Sequence, residues 1–305
     1  MPVAVSACLI TYNHAHVVED AVRSLLAQDH SSFELLLSDD CSTDGTYEVL
    51  ERLAAVDARV RLLRTPHNLG MAGNANFAVR HARGHYVALL HHDDIYAPNL
   101  LRRWAELLDR HPSAGFVSNA YRSHHTGAID SHPFAELNRG RDVLERHMLP
   151  IFACPVRGTA MIRKRCWDAV GGIREQFGML ADVDLWMRLA ERYDVAYTAE
   201  PLITVRQDRP DDYPRSYVDW SWRRLRLGHI IYGTNYAEHY GTRGLSARVR
   251  AAHYRYRVNV DIARWLAYAV VKRRADMLRS SDEVASPYEF WITACLRHVL
   301  ARAAG

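Results

Sequence analysis

Residues 84–98 read GHYVALLHHDDIYAP. Tyr86 to Leu90 is apolar throughout, the pattern of a strand buried on both faces of a parallel sheet. The run stops abruptly at His91-His92-Asp93-Asp94. Pro98 can then open a helix whose inward side is Leu100, Leu101, Trp104, Leu107 and Leu108. The same unit recurs upstream. Val3 to Ile10 is a strand signal, Thr11-Tyr12-Asn13 a loop, and Val17, Val18, Ala21, Val22, Leu25 and Leu26 one face of a helix. Phe33 to Ser38 runs into Asp39-Asp40, and Ser42, Thr43 and Asp44 are N-cap candidates for a helix carrying Val49, Leu50 and Leu53. Arg59 to Leu63 is a third strand. The loop Pro66 to Gly73 leads into a helix through Arg83, and Gly84 suits its C-cap.

This alternation predicts an α/β fold with a mostly parallel central sheet flanked by helices. In such sheets ligands bind outside the carboxyl ends of the strands. Thr11, Asn13, Asp39, Asp40, Asp93 and Asp94 all follow strands, so the topology should gather them at one crevice.

Farther along, Ser123 to Pro155 reads as loop-rich. Thr159 to Ile162 is a strand signal, and Asp182 to Tyr193 a helix with Leu185, Trp186, Leu189 and Ala190 inward. Val195 to Thr198 and Leu202 to Val205 are two short strands around Pro201. Proline and aspartate cluster from Gln207 to Pro214, a linker signal. Beyond it the chain reads as helical and rich in Arg, Tyr and Trp. The expected domains are therefore 1–207, the ligand-binding part, and 208–305, a helical C-terminal subdomain.

The chain has 305 residues, 49% hydrophobic and 24% charged, with a net charge of +4. That balance suits a globular α/β domain with an appendage and does not indicate a nucleic-acid binder. Its five cysteines stand singly, without a C-x-x-C pair, which argues against a zinc site or a disulfide framework and for a reducing compartment. No stretch approaches the ~20 apolar residues that span a bilayer, and the start lacks a signal-peptide pattern. A cytoplasmic protein is expected.

Carboxylates at a strand's carboxyl end are hard oxygen ligands suited to Mg²⁺ or Mn²⁺. On its own the Asp93-Asp94 pair reads equally as a cap for the helix after Pro98, and Asp182 as a first-turn acid favoured by the helix dipole.

Five stretches, in order, resemble glycosyltransferase family 2, whose members are inverting and have the GT-A fold. They are Ala7 to Asn13; ELLLSDDCSTDG, residues 34–45; Asn68-Leu69-Gly70 with Asn76; GHYVALLHHDDIYAP, residues 84–98; and Gly171-Gly172 followed by Ala181 to Trp186. The resemblance covers about residues 1–207. It implies that Thr11, Tyr12 and Asn13 line the nucleotide pocket and that Asp40 accepts hydrogen bonds from base or ribose. It implies a metal on Asp93 and Asp94, and Asp182 as general base. Asn76, His92 and Arg206 join the nucleotide-sugar-binding set. The implied activity is metal-dependent (Mn²⁺ or Mg²⁺) transfer of a sugar, with inversion, from a nucleoside-diphosphate sugar, UDP favoured, to a hydroxyl acceptor.

The sequence departs from the family pattern at several positions. His91 stands where an aspartate is common. As a ligand it would favour Mn²⁺ over Mg²⁺, but a supporting role beside the metal is the expectation. Ala181 replaces a frequent Glu, and Ala75 a frequent Arg. Arg206-Gln207-Asp208 replaces Arg-x-His, so Arg206 is a phosphate candidate and Asp208 a substitute oxygen ligand. Competing readings are a sugar-nucleotide pyrophosphorylase, which would show a basic glycine-rich loop after the first strand, and a sugar-nucleotide-binding module without catalysis. The aromatic-rich C-terminal helices, with Tyr217 and Trp220 near their start, read as a subdomain that covers the acceptor site, dimerises, or touches a membrane surface. The first two are favoured.

Overall fold

The computed structural model describes residues 3–150, 154–206, 222–281 and 285–304. The chain divides into two compact units, 1–209 and 210–305.

The first unit is built on a ten-stranded sheet. Its strands are β1 (Val5–Thr11), β2 (Phe33–Asp39), β3 (Val60–Arg64), β4 (Tyr86–His91), β5 (Ile95–Tyr96), β6 (Ala114–Ser123), β7 (Ile129–Asp130), β8 (Leu137–Asn138), β9 (Ala160–Arg163) and β10 (Asp194–Val205). The main path runs β3-β2-β1-β4-β9-β6-β10-β5. The first four strands are parallel to one another, β9 is antiparallel to both β4 and β6, and β10 is parallel to β6. The helices are α1 (Val18–Leu26), α2 (Thr46–Ala54), α3 (Gly70–Arg80), α4 (Leu100–Arg110), α5 (Gly140–Val143), α6 (Lys164–Val170) and α7 (Ala181–Arg192).

The period-2 alternation of the strands decides which side chains meet which helices. Val5, Ala7 and Leu9 of β1, Leu35 and Leu37 of β2, and Ala88 and Leu90 of β4 join one buried cluster with the inward residues of α1 and α4. Each fully buried Val or Leu contributes about 1.5–3 kcal/mol relative to exposure, so the helix-to-sheet seam fixes the parallel half of the sheet.

Several expectations change here. The two short strands around Pro201 are one strand, β10, whose pairing with β6 slips register between Thr198 and Ile203. Proline cannot donate to a ladder, and the irregularity falls there. The strand β6 carries no sequence signal of comparable strength, because Ser118 and Asn119 are polar yet buried. The segment read as loop-rich holds β7, β8, α5 and a wide helical turn over Leu144–Met148. Gly84 is not a helix cap, since α3 ends at Arg80. A Cβ on Gly84 would stand 2.6 Å from the Ser6 amide nitrogen, so glycine is needed where β4 enters beside β1. Asp94 does not cap the helix after Pro98 either; the residue preceding α4 is Asn99. Gly45 occupies the cap position of α2, while Asp44 accepts the Thr46 N–H at 3.0 Å.

The second unit consists of α8 (Trp222–Tyr240), α9 (Leu245–Val271), α10 (Ala275–Ser280) and α11 (Trp291–Ala303). Trp222, Tyr254 and Trp265 are buried in it, so much of its aromatic content is core. Tyr217, Trp220, Asp208 and the expected linker lie outside the described residues.

The N-terminal end of α7 is held by a buried ion pair. Asp184 is fully buried and accepts Arg188 Nε at 2.7 Å, with Arg174 Nη1 at 3.4 Å. The same Arg188 guanidinium donates to Val170 O at 2.6 Å and Gly172 O at 2.7 Å, which ties the Gly171-Gly172 turn to the helix. Removing one partner strands the other charge in a dry site. Asp184→Ala is therefore expected to destabilise the protein by about 3–5 kcal/mol, measured by urea unfolding. A loss below about 1 kcal/mol, the range of a surface pair, would contradict this role.

Candidate active site

The parallel register sets four strand ends side by side. Thr11 pairs with Asp39, Ile10 with His91, and Asp39 with Arg64. The loops after β1 and β2 are then stapled together. Asn13, at φ 54°, donates its N–H to Ser42 Oγ at 2.9 Å, and its Oδ1 accepts the Thr43 N–H at 2.8 Å. His14 N–H reaches Thr46 Oγ1 at 2.8 Å, and Ala15 N–H reaches Asp44 Oδ2 at 3.0 Å. Burial alone would raise the Asp44 carboxyl, but the hydrogen bonds from Thr46 and Ala15 outweigh it and hold it below the ordinary range.

Asp40 is buried, and its Oδ1 accepts both the Thr65 hydroxyl and the Leu69 N–H at 2.8 Å. Tyr12 is exposed at the lip. Sequence reading passed over Asn74, whose buried amide bridges Ser38 and Thr11. Its Oδ1 accepts the Ser38 hydroxyl at 2.6 Å, while Nδ2 donates to Ser38 O at 3.0 Å and Thr11 O at 3.4 Å. Three buried polar atoms along this rim have no hydrogen-bond partner among the described residues: Thr11 Oγ1, Asp39 Oδ1 and His92 Nε2.

At the end of β4, His91, Asp93 and Asp94 each present a ligand atom, all within 4.8 Å of one another. His91 thus shares the acidic cluster. Its carbonyl is fixed by the Tyr96 hydroxyl at 2.6 Å. Asp94 is buried, and burial, reinforced by the Asp93 charge, pushes its carboxyl up to about 7. Burial also disfavours the Asp93 carboxylate, but the neighbouring His92 and His91 imidazoles prevail and hold it low. Burial pulls His92 down to about 4. Its ring lies 3.6 Å, centroid to centroid, from that of His14, and Nδ1 is 3.1 Å from Ile10 O.

The antiparallel strand β9 brings Gly158 back to this end of β4. A Cβ on Gly158, at φ +81°, would stand 2.6 Å from His91 Cε1 and 3.3 Å from Asp182 Oδ2. His91 and Asp182 therefore flank this one glycine, and the base candidate shares a wall with the acidic cluster. Burial raises the Asp182 carboxyl, with His91 opposing. Gly158 is a site residue that the sequence did not reveal, because a lone glycine before a strand carries no mark of what it faces.

Two further expected residues already have protein partners. Asn76 Nδ2 donates to Ile173 O and Glu175 Oε1, both at 2.9 Å, and its Oδ1 accepts the Ile173 N–H at 3.0 Å. The Arg206 backbone lies beside Asp94 and favours its ionised form, while the guanidinium pairs with Asp20 of α1 at 2.5 Å.

One imidazole and two carboxylates at mutual ligand distance suit a divalent cation of the Mn²⁺ or Mg²⁺ kind, and Asp94 with its raised carboxyl is a group that a bound cation would deprotonate. No helix among the described residues is long and apolar enough to cross a membrane.

Known proteins share this architecture. Over 99% of its length the chain superposes on Staphylococcus aureus TarS 1–349 in complex with UDP-GlcNAc, at TM-score 0.60 and 17% identity, covering 88% of that chain. It superposes equally on the mannosyltransferase PcManGT of Pyrobaculum calidifontis in complex with GDP-Man and Mn²⁺, at TM-score 0.60, 21% identity and 88% coverage of that chain. Both likenesses establish the GT-A fold. EpsE of Bacillus subtilis (strain 168), whose name places it among the glycosyltransferases, is 28% identical over 222 residues, 70% of this chain and 77% of EpsE. WfgD of Escherichia coli, a UDP-Glc:α-D-GlcNAc-diphosphoundecaprenol β-1,3-glucosyltransferase, is 38% identical over 98 residues, 32% of this chain and 38% of WfgD. The family model for glycosyl transferase family 2 matches residues 6–170, more than half of the 305-residue chain, and the protein is thereby a glycosyltransferase belonging to that family.

Proposed function

We propose that the protein transfers a sugar, with inversion, from a nucleoside-diphosphate sugar to a hydroxyl acceptor, with Asp182 as general base and a divalent cation on Asp93 and Asp94. The carrying observation is the pair of carboxylates grouped with His91, with Asp182 across Gly158. A UDP-sugar is the favoured donor, in keeping with the UDP-sugars of the TarS complex and of WfgD. Mn²⁺ is the favoured ion, because His91 adds a softer nitrogen to the donor set.

The rim after β1 and β2 is suited to the nucleoside. Thr11 Oγ1, Asp39 Oδ1 and His92 Nε2 offer buried polar atoms for base and ribose, and Asp40 is held rigidly by Thr65 and Leu69. Tyr12 and Asn13 form the outer wall. Asn76 contributes by fixing the segment at Ile173 and Glu175, and Arg206 by its backbone, which favours the ionised form of Asp94. When bound, the cation neutralises charge that develops on the leaving diphosphate. The acceptor hydroxyl must shed a proton as it attacks the anomeric carbon, and Asp182 takes it. Burial that raises this carboxyl makes it a stronger base without removing it from the wall of the site.

Three outcomes test this reading. Asp93→Ala should weaken Mn²⁺-dependent UDP binding roughly 10–100-fold, read by calorimetry, and wild-type affinity should weaken as the pH is lowered through about 7, because Asp94 must give up its proton to bind the cation. Tight UDP binding that survives a chelator would refute the metal assignment. Asp182→Asn should keep UDP binding but lower donor hydrolysis or transfer by about 10²–10⁴-fold. In the wild type kcat should rise with pH along a limb lying above the ordinary carboxylate value of about 3.9; unchanged turnover in the variant would sink the base role. Gly158→Ala, whose methyl would press on the His91 ring, should weaken Mn²⁺ binding with a smaller effect on Tm, and unaltered Mn²⁺ affinity would disconnect Gly158 from the site.

A further inference from the structure

The last helix, α11, faces the wrong way for an ordinary surface helix. Its inward side carries Thr293, Arg297 and Ala301. Thr293 is satisfied by Phe290 O at 2.9 Å and by Asn259. Arg297 pairs with Glu289 at 2.9 Å and lies 4.9 Å over the Trp222 ring. The outward side is apolar: Trp291, Ile292, Leu296 and Val299 are 79%, 72%, 47% and 61% exposed. Residues 292, 296 and 299 are spaced to share one face, and polar groups occupy the side that is buried.

Cations stand at both ends of this helix, Arg255 at 5.2 Å over the Phe290 ring just before it and Arg279 donating to Ala304 O at 2.6 Å just after it, and the unit that carries it is positively charged. Residues 210–305 contain 16 Arg and Lys against 9 Asp and Glu, a net +7, which leaves −3 for the rest of a chain whose total is +4. Burial sharpens the contrast. Among the described residues of this unit, Arg248, Arg255, Arg264, Lys272, Arg273 and Arg302 are exposed. The exposed acids are Glu238 and Asp276, and Asp276 is bound by Arg274 at 2.8 Å. Asp261 and Glu289 are spent on His229 and Arg297.

We propose that the outward face of α11 rests on an anionic lipid surface, with Trp291, Ile292, Leu296 and Val299 in the headgroup–acyl boundary and the exposed Arg and Lys of the same unit meeting the lipid charge. An apolar helix face with cations at its two ends, an aromatic residue at its start and a positively charged unit behind it is the composition of an interfacial helix. Charge decides between this and a second copy of the chain. Two units of net +7 repel each other, whereas each Lys or Arg near an anionic leaflet gains about 1 kcal/mol, roughly fivefold in affinity.

The full-length chain should cosediment with vesicles of phosphatidylglycerol and phosphatidylcholine, bind pure phosphatidylcholine at least about tenfold less, and release at high salt. The triple variant Ile292→Ser, Leu296→Ser, Val299→Ser should lose about tenfold or more in vesicle binding with an unchanged thermal melt, because these side chains face outward. A second variant, Lys272→Glu with Arg273→Glu, should lose the preference for the anionic vesicles. Wild-type protein that ignores anionic vesicles, or a triple variant that binds as tightly as wild type, would overturn the proposal. So would a wild-type dimer that the triple variant converts to monomer without any vesicle binding, which would assign the face to a second copy.

Discussion

Everything at the site depends on the register of β1 between β2 and β4. Thr11 opposite Asp39 and Ile10 opposite His91 bring to one rim three loops that are far apart in sequence. A slip of one residue would turn every side chain of β1 to the other face, setting Ala7 and Leu9 against the wrong helices and breaking the cluster with α1 and α4. Apolar packing thus enforces the polar geometry at the strand ends. Asn74 adds a local lock, since its amide spans the carbonyls of Thr11 and Ser38 on adjacent strands.

The second half of the site comes from a reversal of direction. β4 ends at His91, and its other neighbour, β9, runs antiparallel with Leu89 opposite Ala160. The residues entering β9 therefore lie beside those leaving β4, which is why Gly158 abuts His91. Asp182 approaches from the start of α7, and α7 is anchored by the buried Asp184–Arg188 pair to the Gly171-Gly172 turn. Two consecutive acids of one helix thus have different roles: Asp184 is consumed in packing, and Asp182, two residues earlier, is left at the wall.

The parallel half of the fold was legible because its strands are unbroken apolar runs and its helices show clear inward stripes. β6 was not, since Ser118 and Asn119 imitate a loop while lying buried in the sheet, and one strand looked like two because Pro201 interrupts it. At the site, Thr11, Asp40, Asp93 and Asp182 were readable as polar residues at element ends. The surroundings of Asn76 and Arg206 were not: residue type gives no sign that Asn76 will be saturated by a backbone segment about a hundred positions away, or that the Arg206 guanidinium will turn to Asp20. Long-range hydrogen bonding is a property of the packed chain, and a motif reports only the residue type.

His91 alters the electrostatics of the proposed metal site in a definite direction. Asp93, Asp94 and Asp182 lie around it, and their environments differ: Asp93 is held low by imidazoles, while burial lifts Asp94 and Asp182. Three carboxylates in a half-dry pocket resist simultaneous ionisation. An aspartate at position 91 would add a fourth. An imidazole instead offers a neutral ligand atom, or a positive charge, at the same place, and it lowers both Asp94 and Asp182. On the proposed reading, the substitution gives up some attraction for a cation in exchange for less repulsion in the free site. It also links the ion and the base through one ring, so that whatever fixes the His91 imidazole, Gly158 above all, bears on both.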